Sequence, residues 1–209
     1  MNCLLCHSPM IIQPTWSGLF LNKIGPPICE RCSKKFEKTD IKEDKAEWIG
    51  SIYENSLDGL TSVYQYNEAM KDYLHQYKFL QDAILSKVFA EDMRALLKNR
   101  KAIIVPIPMH PEKLKKRTFA HVDRILDDAR IPYVHLFEKT ADVTQGEKSK
   151  QERMNAEPLF AIKPGSTIEK KHYIVIDDLY TTGTTVRHAA KVLKDAGAAK
   201  VEAVTLIRA

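Results

Sequence analysis

Tyr173-Ile-Val-Ile-Asp-Asp-Leu-Tyr-Thr-Thr-Gly-Thr-Thr185 is the stretch of sequence on which the fold depends. It begins with an apolar run, Tyr173 to Ile176, and a short β-branched run bounded by charge predicts a strand buried on both faces of a parallel sheet. Apolar residues then recur with helical period from about Val186 to Ala196, and Gly197 predicts the end of that helix. The stretch therefore predicts a strand, a loop and a helix in succession.

The residues between this strand and helix predict a phosphate site. Asp177 and Asp178 follow the apolar run, and the loop reads Thr181-Thr182-Gly183-Thr184-Thr185. Loop N–H groups and the helix N-terminus favour an anion, threonine hydroxyls add donors, and Gly183 lets the backbone approach a ligand closely. The carboxylates would repel a phosphate, but they suit hydroxyls, a metal ion or a developing positive charge. A sugar phosphate with free vicinal hydroxyls meets all of these demands.

The same stretch resembles the 5-phosphoribosyl-1-pyrophosphate (PRPP) motif of type I phosphoribosyltransferases. The resemblance implies that Thr181, Thr182, Gly183, Thr184 and Thr185 hold the 5′-phosphate. It also implies that Asp177 and Asp178 hold the ribose hydroxyls near the reacting carbon, with Mg²⁺ bridging pyrophosphate and hydroxyls. The alternative is a Rossmann-like turn with incidental acids. Dinucleotide and P-loop signatures do not occur in the sequence.

The first 32 residues contain all four cysteines, as Cys3-Leu-Leu-Cys6 and Cys29-Glu-Arg-Cys32. Two such pairs supply the four thiolates of a closed tetrahedral zinc site, which predicts a structural metal. Redox pairs are the alternative. His7 is predicted to be a bystander, and Trp16, Leu19 and Phe20 are predicted to pack under the metal.

Composition indicates an ordinary globular chain. The 209 residues are 44% hydrophobic and 28% charged, with a net charge of +5. No apolar run approaches the roughly 18 residues of a membrane span, and the N-terminus lacks a secretory pattern, so we expect a cytoplasmic protein. The mild basicity is compatible with polyphosphate or nucleic acid. We predict a zinc-finger domain at 1–40 and a phosphoribosyltransferase-like domain at 50–209.

The remaining pattern predicts further elements around this motif. Strands are predicted at 60–66 (an edge strand), 102–109, 132–137, 159–162 and 200–207. Helices are predicted at 67–79, with Asn67 as cap, and at 82–98 and 112–129. Lys113 and Arg117 lie in a basic segment after the second strand, where they would suit a pyrophosphate or form a solvated helix start. The polar stretch 138–158 is either a lid or a plain loop.

Taken together, these features resemble the ComF family of competence proteins, over nearly the whole chain. The matching positions are Lys78, Asp82, Val105, Pro106, Pro108, His110, Arg117, Phe119, Lys139, Gln145, Arg153, Asn155 and Phe160. The resemblance implies an α/β fold in which a type I phosphoribosyltransferase-like parallel-sheet domain carries a small N-terminal four-cysteine zinc finger. It further implies a role in DNA uptake and natural transformation, with a competence helicase and single-stranded DNA.

The chain departs from the family pattern in two turns. Where the family reads R-G-F-N-Q, this chain reads Arg117-Thr118-Phe119-Ala120-His121, and Gln81 replaces the glycine before Asp82. Purine-salvage relatives place an aspartate where Thr181 stands, which argues against hypoxanthine or guanine salvage. Two classes of function therefore stay open: a PRPP-binding protein or phosphoribosyltransferase, and a DNA-uptake module that uses the fold as a scaffold. Aromatic platforms for stacked bases are not evident in the basic loops.

Overall fold

A four-stranded parallel sheet organises the protein. The computed structural model describes residues 1–11, 26–39, 45–109, 111–139 and 159–209. Its main sheet has the spatial order β1-β6-β5-β2, and β3 and β4 form a separate antiparallel pair. The strands are β1 Gly59–Gln65, β2 Ile103–Pro106, β3 Phe137–Lys139, β4 Phe160–Ile162, β5 His172–Tyr180 and β6 Lys200–Arg208.

Helices cover both faces of this sheet. Among the described residues, the helices are α1 Glu30–Ser33, α2 Glu68–Lys78, α3 Lys87–Leu97, α4 Pro111–Arg117, α5 His121–Ala129 and α6 Thr184–Asp195. Short 3-10 turns lie at Lys45–Trp48 and Ala83–Ser86. None of the helices in these ranges is long and apolar enough to cross a membrane.

Alternation along β5 explains why the sheet has a core on each side. Ile174 and Ile176 point into a buried cluster with residues of α2, α3 and α5. Tyr173 and Val175 point the other way, into a second cluster with residues of α6 and of the β3–β4 pair. All four of these side chains are at most 1% exposed. The apolar run predicted from the sequence is thus a strand buried on both faces.

The strand that carries the acids is longer than its apolar run. Pairing with β6 continues past Ile176, with Asp177 opposite Thr205 and Tyr180 opposite Arg208. Both carboxylates therefore belong to the hydrogen-bonded sheet rather than to a loop. Because a strand is more rigid than a loop, this placement fixes the direction in which each acid points.

Other predicted elements differ in their bounds. The helix predicted at 112–129 is two helices, α4 and α5, because Thr118 adopts a left-handed φ of 61° that interrupts the helical turn. The strand predicted at 132–137 is wrong over most of its length, since β3 covers Phe137–Lys139 only. In this part of the chain, Pro132 has no N–H to donate to a ladder. The strand predicted at 200–207 is β6; the sequence pattern predicted that it closes the sheet as the last strand, but it lies inside the sheet, between β1 and β5.

Several local predictions are confirmed. β1 is an edge strand, and the Asn67 side chain caps α2 by accepting a hydrogen bond from the Met70 N–H at 3.0 Å. β4 matches the short strand predicted at 159–162. The proposed packing of Trp16, Leu19 and Phe20 under a metal lies outside the described residues.

The cysteine region packs directly onto the large domain. Cys3 and Cys32 belong to the same buried cluster as Tyr73 and Phe89 of α2 and α3. Phe36 lies edge-on to Phe89, with ring centroids 5.0 Å apart. The division of the chain into domains at 1–40 and 50–209 stays a prediction.

Candidate functional site

The two acids lie at the carboxyl end of β5 and point to opposite faces of the sheet. Asp178 continues the row of Ile174 and Ile176, whereas Asp177 continues the row of Tyr173 and Val175. The two residues are nevertheless linked, because the Asp178 N–H donates to Asp177 Oδ1 at 2.8 Å. In open α/β sheets, ligands bind outside the carboxyl ends of the strands, which is where these acids lie.

Asp178 forms a largely buried ion pair with Lys78, the last residue of α2. The Lys78 Nζ lies 2.6 Å from Asp178 Oδ2, and the two side chains are 12% and 18% exposed. Burial alone would raise the pKa of Asp178, but the ammonium of Lys78 outweighs it and the pKa is lowered from its ordinary value. Asp178 is therefore held as a carboxylate.

Asp177 has the opposite electrostatic environment. Burial, together with the neighbouring charge of Asp178, raises the pKa of Asp177 to about 7. The pair thus contains one fixed carboxylate and one carboxyl that exchanges its proton near neutral pH. When two carboxyl groups interact closely, the charge of one raises the pKa of the other, so that the two protons are lost at different pH values.

The threonine-glycine loop turns tightly between β5 and α6. Gly183 has a φ of 77° and is the N-cap of α6, so the turn uses a backbone conformation that favours glycine. A side chain at this position would overlap with the ring and hydroxyl of Tyr180. The Thr182 and Thr184 hydroxyls lie 2.9 Å apart, and Thr184 is buried. Thr181 is exposed, and Thr185 is half-buried in the first helical turn.

The basic segment after β2 lies at the same edge of the sheet. β2 pairs with β5 in parallel, with Pro106 opposite Ile176, so the chain leaves both strands on one side. Arg117 ends α4, and its positive charge contributes to lowering the pKa of Asp178. Lys113 lies on α4, but its side chain is outside the described part of the structure. The stretch 138–158 is described only at Glu138 and Lys139 of β3.

Lys78 contacts the candidate site, although the sequence pattern did not predict this contact. Lys78 is one of the positions that match the family pattern, but that match did not identify Asp178 as its ion-pair partner, because α2 and β5 are far apart in the chain. His121 is a second such residue, buried at 1% exposure. Burial, followed by the charge of Lys78, lowers the pKa of His121 to about 4. A histidine after a basic turn carries no signal that it will be buried and neutral.

The four cysteines come together at the other end of the chain. The Sγ atoms of Cys3, Cys6, Cys29 and Cys32 all lie within 4.8 Å of one another. The Cys29 N–H donates to Cys3 Sγ at 3.2 Å, a bond that orients a sulfur ligand. Hydrogen bonds from Ser8 lower the pKa of Cys6 to about 5, which favours the thiolate that metals bind.

This donor set fits a zinc ion. Four thiols are the ligands of closed tetrahedral zinc sites, and the described cluster contains no histidine. His7 instead follows Cys6 in a left-handed turn, with a φ of 58°. The cluster could therefore hold zinc through its cysteines alone.

Comparison with known proteins agrees with this fold and motif. Residues 77–209 match the model of the phosphoribosyl transferase domain family. The chain is 33% identical over 228 aligned residues to the competence protein ComFC of Streptococcus pneumoniae, covering 100% of both chains. It is 32% identical to the competence protein ComFC of Bacillus subtilis, covering 99% of this chain and 94% of that protein.

Solved structures include more distant matches. A hypoxanthine phosphoribosyltransferase from Staphylococcus aureus is 17% identical, with a TM-score of 0.38 over 62% of each chain. An adenine phosphoribosyltransferase from Leishmania tarentolae is 13% identical, with a TM-score of 0.39 over 64% of this chain and 74% of that one.

The parallel sheet, the strand-loop-helix at 172–195 and the family match together define a type I phosphoribosyltransferase domain. Full-length similarity to the two competence proteins narrows this assignment further. The chain belongs to the ComF family of competence proteins.

Proposed function

We propose that this protein serves in competence and binds PRPP or a related phosphoribosyl ligand at the carboxyl edge of its sheet. The observation that carries the proposal is the arrangement at 177–185, where two acids precede a glycine turn that begins a helix. The backbone N–H groups at the start of α6 would receive the 5′-phosphate, helped by the hydroxyls of Thr181, Thr182, Thr184 and Thr185.

Each acid has its own part in this proposal. Asp178, fixed by Lys78, would accept hydrogen bonds from ribose hydroxyls, and Asp177 would lie next to the reacting carbon. Arg117, and Lys113 from the same helix, would face the pyrophosphate. Because Lys78 already neutralises Asp178, we expect Mg²⁺ to be held by oxygens of the ligand with several waters, rather than by the carboxylates.

Calorimetry with PRPP and Mg²⁺ tests the ligand assignment. Wild type should bind, and the Asp177→Asn/Asp178→Asn double variant should lose most of its affinity. Asp72→Asn is a matched control because Asp72 is exposed on α2, and it should bind like wild type. If wild type shows no heat with PRPP while its circular dichroism is native, the ligand assignment is wrong.

Turnover is a second candidate function. Asp177 is a carboxyl in the site whose pKa is raised to about 7, so it can take or give a proton at neutral pH. No residue is assigned to activate the acceptor of a transferred phosphoribosyl group, because Thr181 stands where related enzymes place an acid. Release of pyrophosphate from PRPP in the presence of candidate bases measures this activity, and release above the rate of the double variant would support it.

We further propose a cytoplasmic protein that acts on single-stranded DNA with a competence helicase. The relatives with full-length similarity are named competence proteins, and the chain is basic, with a net charge of +5. Size-exclusion chromatography of the purified helicase, with wild type and with Cys29→Ser, tests the partner. A shift with wild type supports the pairing, and absence of a shift with wild type would contradict it. Loss of the shift in Cys29→Ser would show that the pairing needs the intact cysteine region.

A further inference from the structure

The end of α2 exposes two large apolar side chains beside the candidate site. Phe79 is 64% exposed and Leu80 is 65% exposed, directly after Lys78, which bonds Asp178. Single exposed apolar residues are common, but an adjacent pair beside the candidate site indicates a surface that a ligand or partner covers. We call Phe79, Leu80 and the basic end of α4 the platform surface.

Two groups that favour flat, electron-rich ligands lie next to the ring of Phe79, which stays 64% exposed. The Arg117 guanidinium carbon is 5.3 Å from the ring centroid, and the His75 ring is stacked at 5.7 Å with an interplanar angle of 26°. Arginine and aromatic rings are the groups on which nucleic-acid bases stack. The arrangement therefore has the composition of a base-binding platform.

Hydrogen bonds hold the basic helix end against this ring. The Gln81 side-chain amide donates to the Lys116 carbonyl at 2.8 Å. The Thr118 hydroxyl donates to the Arg117 carbonyl at 2.7 Å and lies 3.5 Å from Gln81 Oε1. Lys115 and Lys116 are exposed, and their side chains extend from the same turn as Arg117. Positive charge and an aromatic surface thus occur together, from two elements that are separate in the sequence.

We propose that the platform surface binds single-stranded nucleic acid, with one base stacked on Phe79 and the adjacent phosphates on Lys115 and Lys116. This inference rests on the proposed role with single-stranded DNA and assigns it a surface. Charge complementarity favours a polyanion, and Lys78 connects the surface to the phosphate-binding edge. A basic segment combined with a stacking ring is the common design for binding strands without sequence preference.

Fluorescence anisotropy with a fluorescein-labelled oligothymidylate tests the proposal. Phe79→Ala should weaken binding by about 5- to 100-fold, the range for loss of one stacked base, and Phe79→Trp should retain affinity. Addition of the strand should quench the tryptophan fluorescence of Phe79→Trp more than that of wild type, because only the variant has an indole at position 79. Tyr66→Ala removes an exposed aromatic residue at the opposite end of α2, a helix about 16 Å long, and should bind like wild type.

The ionic contribution has a separate signature. Lys115→Gln/Lys116→Gln should reduce the slope of log affinity against log salt, by roughly 0.7 for each phosphate that the variant no longer neutralises. Phe79→Ala should leave that slope and the native circular dichroism unchanged. Absence of strand binding by wild type at low salt, or equal binding by Phe79→Ala, would overturn this proposal. Absence of PRPP binding alone would overturn only the ligand assignment.

Discussion

Adjacent residues of one strand acquire opposite chemistry from the faces on which they lie. Asp178 meets the Lys78 ammonium at 2.6 Å, whereas Asp177 is influenced chiefly by burial and by Asp178 itself. Two aspartates that are equivalent in the sequence therefore differ in charge near neutral pH. This difference can be measured through folding stability.

Replacement of Asp177 by Asn should stabilise the protein above about pH 4, by an amount that grows up to about pH 7 and then levels off. The pKa of Asp177 is raised on folding, so its favourable contribution is complete below the unfolded value and declines as pH rises to about 7. The gain at about pH 8 should be on the order of a few kcal/mol. Urea unfolding across this range is the measurement.

Asp72→Asn gives the control for that titration. Asp72 is exposed on α2, so its replacement should change stability little at any pH. If Asp177→Asn and Asp72→Asn give parallel curves, Asp177 does not have a raised pKa in the folded protein.

Gly183→Ala should cost more stability than Gly50→Ala. Both glycines have a φ of 77°, so the strain of placing alanine in a left-handed conformation is shared, at about 1 kcal/mol. An added methyl at Gly183 also overlaps with the buried Tyr180 ring, whereas nothing lies within 4 Å at Gly50. We expect an additional cost of about 1–3 kcal/mol by denaturant unfolding, as for other overpacked positions. Equal costs would show that the Tyr180 side chain moves aside freely.

Two turns that flank the site contain the departures from the family pattern. Gln81 and Thr118 stand where the family has glycine, and both have left-handed φ values, of 59° and 61°. Both turns thus keep the left-handed backbone conformation that favours glycine, although neither position is a glycine. Their side chains contact each other at 3.5 Å, and the Gln81 amide also bonds the Lys116 carbonyl. The two replacements therefore act together to join α2 to the α4–α5 break.

Gln81→Ala should be less stable than Gln81→Gly, by about 1 kcal/mol. Both variants lose the hydrogen bond to the Lys116 carbonyl and the side-chain contact with Thr118, but alanine keeps the left-handed strain that glycine relieves. Chemical denaturation of the two variants side by side measures the difference. If alanine proves equal to glycine or better, position 81 does not hold a left-handed conformation in solution.

Local pattern predicted the elements but not their junctions. The run at 173–176 and the helical period after 186 are strong signals, and the sheet places β5 and α6 there. The extension of β5 to Tyr180 depends on the equal length of β6, which is distant in sequence. The break at Thr118 depends on a non-glycine residue with positive φ, for which a sequence gives no sign. The Lys78–Asp178 ion pair likewise could not be predicted from local sequence, because the two residues are distant in the chain and only the tertiary structure brings them together.

At the scale of the molecule, the cysteine region and the large domain share one core. Cys3, Ile28 and Cys32 lie in the buried cluster that also contains Tyr73 and Phe89. The Leu4 N–H donates to the Pro27 carbonyl at 3.0 Å, which joins the two cysteine pairs. A metal at the cysteines would therefore support packing well beyond its ligands.

Loss of zinc should accordingly lower the melting temperature of the whole protein. We expect one zinc per chain by elemental analysis, absent in Cys29→Ser, with a single melting transition lowered by about 10 °C. His7→Asn is the matched control, because asparagine tolerates the left-handed φ of 58° and His7 is not in the thiol cluster. It should keep both the zinc and the melting temperature of wild type. Zinc-free wild type that melts as cooperatively as before would refute the metal assignment. A zinc-free Cys29→Ser with unchanged melting would instead show that the shared core is stable without its metal.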